Sequence, residues 1–261
     1  MKIFLLGGTK DSINIIEFIK NNYDAYILTT TTTEYGAKLA REGGSDNTIA
    51  RPLPKDEIKQ IIVNENFDLL IDATHPFAAH ITQTSTSIAH ELKIPYIRFE
   101  RPTTNLENVD TTHIHYVDSF DEAGKLIENK FKQGNVLHFA GANTMGEILK
   151  YVPVERFYPR ILKVESSIEK CESLNVDPSH IIPMTGAATI EENLELIEKY
   201  DASVMITKES GDIGGVIEKI EAANEKNIAV IMIQRPKIDG LNKNEIVSNL
   251  EELDIRLKNF F

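Results

Sequence analysis

The sequence is poor in cysteine and in long apolar runs. Its 261 residues include one cysteine, Cys171, which cannot form an internal disulfide and leaves no four-thiolate metal site. The longest aliphatic runs, such as Ile228 to Ile233, are far shorter than the ~20 residues that cross a bilayer. The apolar stretch from Ile3 to Leu6 is too short for a secretory signal. We therefore expect a cytoplasmic protein that does not insert into a membrane.

The sequence is also short of positive charge. It has 40 Asp and Glu against 28 Lys and Arg, which gives a formal charge of −12. Non-specific nucleic-acid binding and polybasic membrane anchoring both need a concentrated positive field, so this balance argues against both. An acidic ligand is still compatible with the sequence, provided that a few local cations hold it.

Several catalytic motifs are missing as well. The sequence contains no GxSxG nucleophile elbow, no Walker lysine loop and no paired-cysteine motif. The spacing from His75 to His80 is not that of HExxH and no carboxylate lies between the two, so we expect no metal site. His80 and His90 are each interpreted as a partly buried helix histidine.

What the sequence contains is a regular alternation of short apolar runs and segments with helical spacing. This alternation is typical of parallel strands that are buried on both faces and covered by helices. Strands are predicted near Lys2 to Leu6, Ala25 to Thr30, Thr48 to Ala50, Leu69 to Asp72, Tyr96 to Phe99, Ile114 to Val117, Val136 to Phe139, Arg156 to Val164, Ile181 to Met184, Ser203 to Ile206 and Ile228 to Ile233. Helices are predicted near Ser12 to Asn21, Tyr35 to Glu42, Lys55 to Glu65, Ala78 to Leu92, Phe120 to Phe131, Thr144 to Val152, Ile190 to Tyr200 and Val216 to Asn227.

The alternation predicts an α/β fold: two Rossmann-like, doubly wound parallel-sheet lobes with the active site in the cleft between them. The stretch from Glu100 to Thr112 is predicted to be a connection, which gives lobes of residues 1–112 and 113–261. In open sheets of this kind, ligands bind at the carboxyl ends of the strands, where helix N-termini present unsatisfied N–H groups. The loops that follow the strands are therefore the places to look for a site.

The loop after the first predicted strand is Gly7-Gly8-Thr9. Two glycines allow a phosphate to approach the backbone closely, and the Thr9 hydroxyl can bond to it. The glycine spacing is not GxGxxG, and a strand followed by two glycines is often a simple tight turn. Because this loop follows the first strand and precedes a helix, we interpret it as a nucleotide-phosphate site.

The second such loop, Thr29 to Thr33, lacks the acidic residue that holds the ribose 2′-hydroxyl in NAD-binding domains. The hydroxyls of Thr30 and Thr31, with Lys38 or Arg41 as counter-charges, suit a 2′-phosphate better. NADPH is therefore favoured, with NADH as the alternative. A threonine-rich strand end without a ligand is the structural explanation of the same pattern.

The most unusual segment is the fourth loop, which contains Thr74, His75, Pro76 and Phe77. Pro76 suits the first position of a helix, with Thr74 or His75 as its cap. Phe77 can stack on a flat ligand, and His75 can donate to a phosphate or carboxylate. We assign all four residues to the cofactor site.

In the second half of the chain, Lys208, Ser210 and Gly211 follow a predicted strand and precede a helix that carries Lys219. Glycines, a hydroxyl and lysines at a strand's carboxyl end make a plausible anion cradle, although a loop lysine is often just solvated. Arg235 ends the last predicted strand and is expected to face the same cleft. Loops 138–144 and 184–189 are further candidates for its lining.

Taken together, these motifs resemble the precorrin-6A reductase family of cobalamin biosynthesis, including its cobalt-precorrin-6A branch. The resemblance is carried by LGGT at 6–9, IDATHPFA at 71–78, PYIRFERP at 95–102, TKESG at 207–211 and VIMIQRP at 230–236. It implies a two-lobed α/β enzyme that delivers hydride from a reduced nicotinamide cofactor to a ring double bond of (cobalt-)precorrin-6A, giving the 6B compound. The first lobe would bind the cofactor and the second the macrocycle.

The chain departs from the family pattern in two loops. Threonines 30 to 33 stand where the family commonly has a small-Gly-Arg sequence, and Thr185-Gly186-Ala187 stands where Gly-Pro-Phe is common. These departures concern the contacts of the 2′-phosphate and part of the substrate wall.

The resemblance also implies roles for single residues. A corrin precursor carries several carboxylate arms, so an acidic protein needs local donors to hold it. The candidates are Arg98, Arg101, Lys208, Ser210, Gly211, Lys219 and Arg235. Hydride transfer is cofactor chemistry, and His75 or Lys208 is the candidate proton donor, with solvent as the alternative.

Two other functions compete with this one. A non-catalytic dinucleotide-sensing protein would bind the cofactor without turning it over, and a nucleotide-sugar enzyme would use two Rossmann-like lobes for a different ligand. For the favoured function, a small-molecule corrin precursor is the expected partner. The sequence leaves open whether that substrate contains cobalt and whether the protein is a monomer or a homodimer.

Overall fold

The computed structural model describes residues 1–260 and divides the chain into two compact units. The first unit comprises Met1–Pro102 and the chain from Lys237 onward, and the second comprises Thr103–Pro236. Within the described residues, two six-stranded sheets form, and every strand pairing in them is parallel. Helices flank each sheet, so the predicted α/β class is confirmed. No helix in residues 1–260 is long and apolar enough to cross a membrane.

The strands follow the predicted apolar runs closely. They are β1 (Lys2–Leu6), β2 (Tyr26–Thr31), β3 (Asn47–Ala50), β4 (Leu69–Asp72), β5 (Tyr96–Phe99), β6 (Ile114–Val117), β7 (Asn135–His138), β8 (Phe157–Ile161), β9 (Ile182–Pro183), β10 (Ala202–Lys208), β11 (Ala229–Ile233) and β12 (Ile246–Val247). The α-helices are α1 (Lys10–Asn22), α2 (Glu34–Glu42), α3 (Lys55–Asn64), α4 (Ala79–Leu92), α5 (Phe120–Lys130), α6 (Met145–Ile148), α7 (Glu165–Ser173), α8 (Ile190–Lys199), α9 (Val216–Glu225) and α10 (Leu250–Leu257).

The central strands are buried on both faces, which explains their continuous apolar sequences. In β1, Ile3 and Leu5 pack into a core with Ile15 of α1, whereas Phe4 and Leu6 pack into a core on the other face. Because helices cover both faces, alternate residues of the strand have no solvated side to occupy. The second unit follows the same rule around Leu137, Met205 and Val230.

Strand order locates the ligand-binding edges. The first sheet has the order β12-β5-β4-β1-β2-β3, so the direction of winding reverses between β1 and β4. The second has the order β6-β11-β10-β7-β8-β9 and reverses between β7 and β10. In open parallel sheets, the loops on either side of such a reversal generally diverge to opposite faces, so a ligand crevice is expected at the carboxyl edge there.

The division of the chain differs from the one expected from the sequence. The boundary lies at Pro102 rather than near residue 112, and the last part of the chain belongs to the first unit rather than the second. Ile246 and Val247 pair with β5, and Leu253 of α10 is fully buried in the core beside β1. A two-residue strand and a short helix carry too few apolar residues to be predicted from the sequence.

One further helix was not predicted, and one began later than expected. Helix α7 has a single buried residue, Cys171, so its sequence shows no apolar face. Pro76 does not begin α4, because a turn closed by Ala78 N–H and the His75 carbonyl at 2.8 Å comes first and the helix begins at Ala79. Its N-cap is Ala78, rather than Thr74 or His75.

Candidate active site

The loops after β1 and β4 lie side by side at the reversal of the first sheet. The Ala73 N–H donates to the Leu6 carbonyl at 2.9 Å, and the Gly7 N–H donates to the Thr30 carbonyl at 2.8 Å. A cavity of about 370 Å³ opens at this edge, lined by the loops after β1 to β4. Its lining includes seven of the residues assigned to the cofactor from the sequence: Gly7, Gly8, Thr9, Thr30, Thr31, Thr74 and His75. Pro76 and Phe77 are not among the described residues that line it.

The two glycines of the first loop are required for different reasons. A Cβ on Gly7 would lie 3.0 Å from Thr29 Cγ2 and 3.1 Å from Ser12 Oγ, so a side chain would fit only if these neighbours shifted by a few tenths of an ångström. Gly8 has φ of +98°, a conformation that other residues adopt only with strain, while a Cβ there would meet no described atom within 4 Å. Gly8 therefore leaves open space beside the start of α1.

The Thr9 hydroxyl is already hydrogen-bonded within the protein, where it holds the loop in place. Its Oγ1 donates to the Ala73 carbonyl at 2.8 Å and accepts the Ser12 N–H at 3.1 Å, which caps α1. The expected bond from this hydroxyl to a phosphate would compete with both contacts. The first turn of a helix also offers backbone N–H groups that have no partner within the helix and that can bind an anion.

The threonine loop is only partly available to a ligand. Thr30 and Thr31 are buried, and Thr31 Oγ1 donates to the Thr33 carbonyl at 2.8 Å, whereas Thr32 is exposed in the cavity lining. The proposed counter-charges on α2 are engaged elsewhere: Lys38 pairs with Glu42 and Arg41 with Glu34.

A cation that was not predicted lines the cavity instead. Arg51 follows the last residue of β3 and contributes to the lining. Its guanidinium pairs with Glu57, with Nη1 2.9 Å from Oε2. The signal in the sequence was an arginine directly after a predicted strand, at the edge where the ligand loops lie.

Asp72 organises the fourth loop from below. It is fully buried, and its Oδ1 accepts the Thr74 N–H at 2.9 Å, the Thr74 hydroxyl at 2.6 Å and Nη1 of Arg98 at 2.8 Å. Its Oδ2 accepts the Tyr96 hydroxyl at 3.1 Å. Burial and the Asp72 charge raise the pKa of Tyr96 far above its usual range. Asp72 thus fixes the position of Thr74 in the cavity wall, a role that the sequence did not suggest.

His75 has a defined tautomer in this loop. The Phe77 N–H donates to its Nδ1 at 3.1 Å, and since an N–H can only donate, this nitrogen must accept. The proton of the neutral ring is therefore on Nε2. The rings of His75 and Phe77 lie 6.0 Å apart, so Phe77 packs beside His75 rather than lining the cavity.

Two arginines that were expected to bind the macrocycle have structural partners in the first unit. Arg98 is 1% exposed and bridges Asp72 and Thr74 from within the core. This burial does not fit direct contact with a ligand, and Arg98 is better described as a support for the loop. Arg101 lies at the N-terminal turn of α1, with Nη1 3.2 Å from Asp11 Oδ2.

The second unit gathers the remaining predicted residues at its own reversal. Lys208 is the last residue of β10, and Ser210 and Gly211 follow it. Burial lowers the pKa of the Lys208 ammonium, which makes it a stronger acid than an exposed lysine. Arg235 pairs with Glu209, whose Oε1 also accepts the Gly211 N–H at 3.1 Å. Arg235 therefore holds the loop in place through a carboxylate that offsets its charge.

Lys219, Arg160 and His138 lie at the same edge. Lys219 is 4% exposed in the first turn of α9, and burial with the charges of Arg160 and Lys208 lowers its pKa to about 7. Arg160, near the end of β8, was not predicted as a site residue, whereas His138, the last residue of β7, lies in loop 138–144, a predicted candidate for the cleft lining. Burial lowers the pKa of His138 to about 3, so the ring is neutral near pH 7, with Nε2 3.2 Å from the Gly141 carbonyl. Arg160 lies inside the predicted strand Arg156 to Val164, so its place in the sequence did not indicate a site.

Metal ligands do not gather at either edge. Across residues 1–260, no group of three or more His, Cys, Asp or Glu side chains is arranged to hold a metal ion.

Comparison with known proteins identifies the family. The family model described as "Precorrin-6x reductase CbiJ/CobK" matches residues 2–257. The chain belongs to the precorrin-6x reductase family. As a member, it is an oxidoreductase of cobalamin biosynthesis that uses a reduced nicotinamide cofactor and acts on a small molecule. The resemblance drawn from the motifs is confirmed.

Relatives of the reductase align along most of its length. The cobalt-precorrin-6A reductase of Methanothermobacter thermautotrophicus is 38% identical over 254 residues, covering 97% of this chain and 82% of that protein. That of Methanocaldococcus jannaschii is 38% identical over 240 residues, covering 92% of each. A solved structure of CobK precorrin-6A reductase superposes with a TM-score of 0.75 at 17% identity, covering 99% of this chain and 97% of that one. At that identity the likeness establishes the shared fold.

Proposed function

We propose that this protein reduces cobalt-precorrin-6A to cobalt-precorrin-6B, with NADPH as the hydride donor. The observation that carries the proposal is the 38% identity, over 97% of the chain, to a protein named for that reaction. The cavity at the reversal of the first sheet supplies a binding site of the kind that a dinucleotide needs.

The first unit is the proposed cofactor-binding unit. Gly7 and Gly8 keep side chains away from the backbone, and the positive end of the α1 dipole beside them favours a pyrophosphate. The residues present therefore fit a dinucleotide. Preference for NADPH is supported by Arg51 and the exposed Thr32 in the same lining, because a guanidinium and a hydroxyl both bond well to a 2′-phosphate.

The cofactor supplies the hydride, and the protein's part is to orient the two rings and provide a proton. Lys208 is the proposed proton donor, since its lowered pKa favours release of a proton from the ammonium. His75 is the second candidate, because it lines the cavity and a histidine in its protonated form can release a proton near neutral pH. The second unit, with Lys208, Ser210, Gly211 and Lys219 at its carboxyl edge, is the proposed macrocycle-binding unit.

The test is a cofactor oxidation assay on the purified protein. We expect absorbance of NADPH to fall after cobalt-precorrin-6A is added and to stay constant without it. A dinucleotide-sensing protein would bind NADPH, as seen by fluorescence titration, without oxidising it in the presence of the macrocycle. That outcome would replace the proposed function with the non-catalytic one. Parallel assays with precorrin-6A and with NADH decide the metal content of the substrate and the choice of cofactor.

A further inference from the structure

Two cations in the second unit, the buried Lys219 and the partly buried Arg160, have no paired carboxylate among the residues that the structure describes. Lys219 is 4% exposed, and its Nζ donates to the Gly214 carbonyl at 2.6 Å. Arg160 donates from Nη2 to the Gly186 carbonyl, and its guanidinium lies 5.3 Å from the centre of the Phe139 ring. Within residues 1–260, neither side chain forms an ion pair with a carboxylate. A buried charge without a counter-charge is unfavourable in a folded protein, so these positions call for an explanation.

Packing of two loops brings the cations to one place. The loop after β9 carries Gly186 and Ala187, and the loop after β10 carries Gly214 and Gly215. A Cβ on Gly215 would lie 2.9 Å from the Ala187 Cβ, so the two loops are in direct contact. Because Arg160 is bonded to the first loop and Lys219 to the second, the two side chains share this contact region.

Electrostatic effects show that the cations act on each other. Burial is the main cause of the lowered pKa of Lys219, and the positive charges of Arg160 and Lys208 lower it further. The charge of Glu218 acts in the opposite direction and raises the pKa of Lys219. For Arg160, burial lowers the pKa and the charge of Glu192 raises it. The unfavourable effects exceed the favourable ones in both cases. An anion bound between Arg160 and Lys219 would relieve the repulsion.

The backbone around them is suited to the same anion. The N-cap of α9 is Gly215, which supplies no side-chain cap to the N–H groups of the first turn. Nη1 of Arg160 is covered and has no hydrogen-bond acceptor among the residues that the structure describes. A helix N-terminus without a side-chain cap, an ammonium bonded only to a backbone carbonyl and a guanidinium with a covered, unbonded Nη1 together suit a carboxylate.

We propose that Arg160 and Lys219 together bind one carboxylate arm of the macrocycle at the N-terminus of α9. This inference rests on the proposed function and adds a named subsite to it. A carboxylate is favoured over a phosphate because the dinucleotide phosphates are accounted for by the glycine loop of the first unit. The hydrogen-bonding geometry also favours a carboxylate, since the planar guanidinium of Arg160 matches a planar carboxylate.

The experiment compares two variants with matched controls. Arg160→Gln and Lys219→Met each remove one charge from the pair. The control for Arg160 is Arg156→Gln, which removes a charge just before the start of β8, where Arg156 donates to the Gly134 and Phe131 carbonyls. The control for Lys219 is Lys226→Met, which removes a charge at the far end of α9. Dissociation constants for cobalt-precorrin-6A and for NADPH are measured separately by titration. We expect macrocycle binding to weaken by ~10- to 100-fold in the first two variants, with NADPH binding unchanged.

A pH series on the unmodified protein tests the pair without any variant. The neutral amine of Lys219 cannot hold an anion as an ammonium can, so affinity for the macrocycle should fall as the pH rises above about 7. In Lys219→Met this pH dependence should be largely lost, and Arg160→Lys, which keeps the charge, should recover part of the affinity. A purely structural role for either residue would produce neither effect.

Each contrary result has a defined meaning. If Arg160→Gln and Lys219→Met weaken NADPH binding and leave macrocycle binding intact, the pair is a phosphate site for the cofactor. If both affinities are unchanged, or if the pH profile is flat, the pair has no role in ligand binding. Each of these results overturns the inference. Loss of macrocycle binding in the control variants to the same degree would also overturn it. If the unmodified protein does not oxidise NADPH with the macrocycle present, the proposed function fails instead.

Discussion

At the scale of single residues, Gly8 shows how a backbone conformation and an open space combine. Its φ of +98° strains any other residue, but an added Cβ would meet no described atom within 4 Å. We expect Gly8→Val to lower the free energy of unfolding by about 1–2 kcal/mol, with the fold retained, and to abolish NADPH binding because the side chain fills the space beside α1.

Gly240→Val is the matched control for this substitution. Gly240 has φ of +77°, is exposed and has equally open surroundings among the described residues, but it does not line the cavity. Thermal unfolding and NADPH fluorescence titration should show a similar loss of stability in both variants and a loss of binding in Gly8→Val alone. Normal NADPH affinity in Gly8→Val would remove this loop from the cofactor site.

Arg51 gives a prediction about cofactor choice. If its guanidinium bonds the 2′-phosphate, Arg51→Gln should raise the KM for NADPH about tenfold and leave the KM for NADH nearly unchanged. Arg41→Gln is the control, since Arg41 lies on α2 in a pair with Glu34 and does not line the cavity. Equal changes for both cofactors would contradict a contact with the 2′-phosphate.

Lys219 makes the stability of the protein depend on pH. Its folded pKa of about 7 lies below the ordinary value of 10.5, so the unfolded chain holds more protons between these limits. Stability therefore rises with pH across this interval and is lost again as the pH falls towards 7. Urea unfolding at about pH 7 and about pH 9 should show a smaller rise in Lys219→Met than in the unmodified protein. Lys226→Met should keep the full rise, because bonding to Glu198 raises the pKa of Lys226.

At the scale of elements, the loop after β4 depends on one buried ion pair. Arg98 and Asp72 are both almost fully buried, with Nη1 2.8 Å from Oδ1. Arg98→Met leaves the Asp72 carboxylate without its cation and should lower the free energy of unfolding by about 3–5 kcal/mol. NADPH binding should weaken too, because Thr74 in the cavity wall is held by the same carboxylate.

The double variant Asp72→Asn/Arg98→Met separates the charge from the packing. It removes both charges, so much of the stability lost in Arg98→Met should return in urea unfolding. A double variant as unstable as the single one would mean that the methylene packing of Arg98, rather than its charge, supports the loop.

At the scale of the whole molecule, the C-terminal segment completes the first unit. β12 occupies the edge beside β5, and Leu253 and Leu257 are fully buried in the core beside β1. A chain that ends after Ser248 should therefore lose cooperative unfolding of the first unit and bind a hydrophobic dye. A chain that ends after Lys258 keeps both leucines and should unfold normally. Equal stability of the two chains would contradict this account.

The strands and the family could be predicted from the sequence, because each is indicated by residues within one short segment. Apolar runs such as Ile3 to Leu6 and Ile228 to Ile233 are buried on both faces, so the run itself identifies the strand. Motifs such as IDATHPFA lie in unbroken stretches of chain, and the family they indicated is confirmed. Seven of the nine predicted cofactor residues share one cavity because the loops that carry them follow neighbouring parallel strands.

What only the tertiary structure decided concerns partners that are far apart in the chain. The sequence determined the α/β alternation, the strand edges and the family, since each depends on residues within one segment. It did not determine that Arg98 is neutralised by Asp72, that Arg51 lines the cavity, or that β12 joins the first sheet. Whether a charge is buried, paired or open to a ligand depends on what folding places next to it, and no local pattern carries that information.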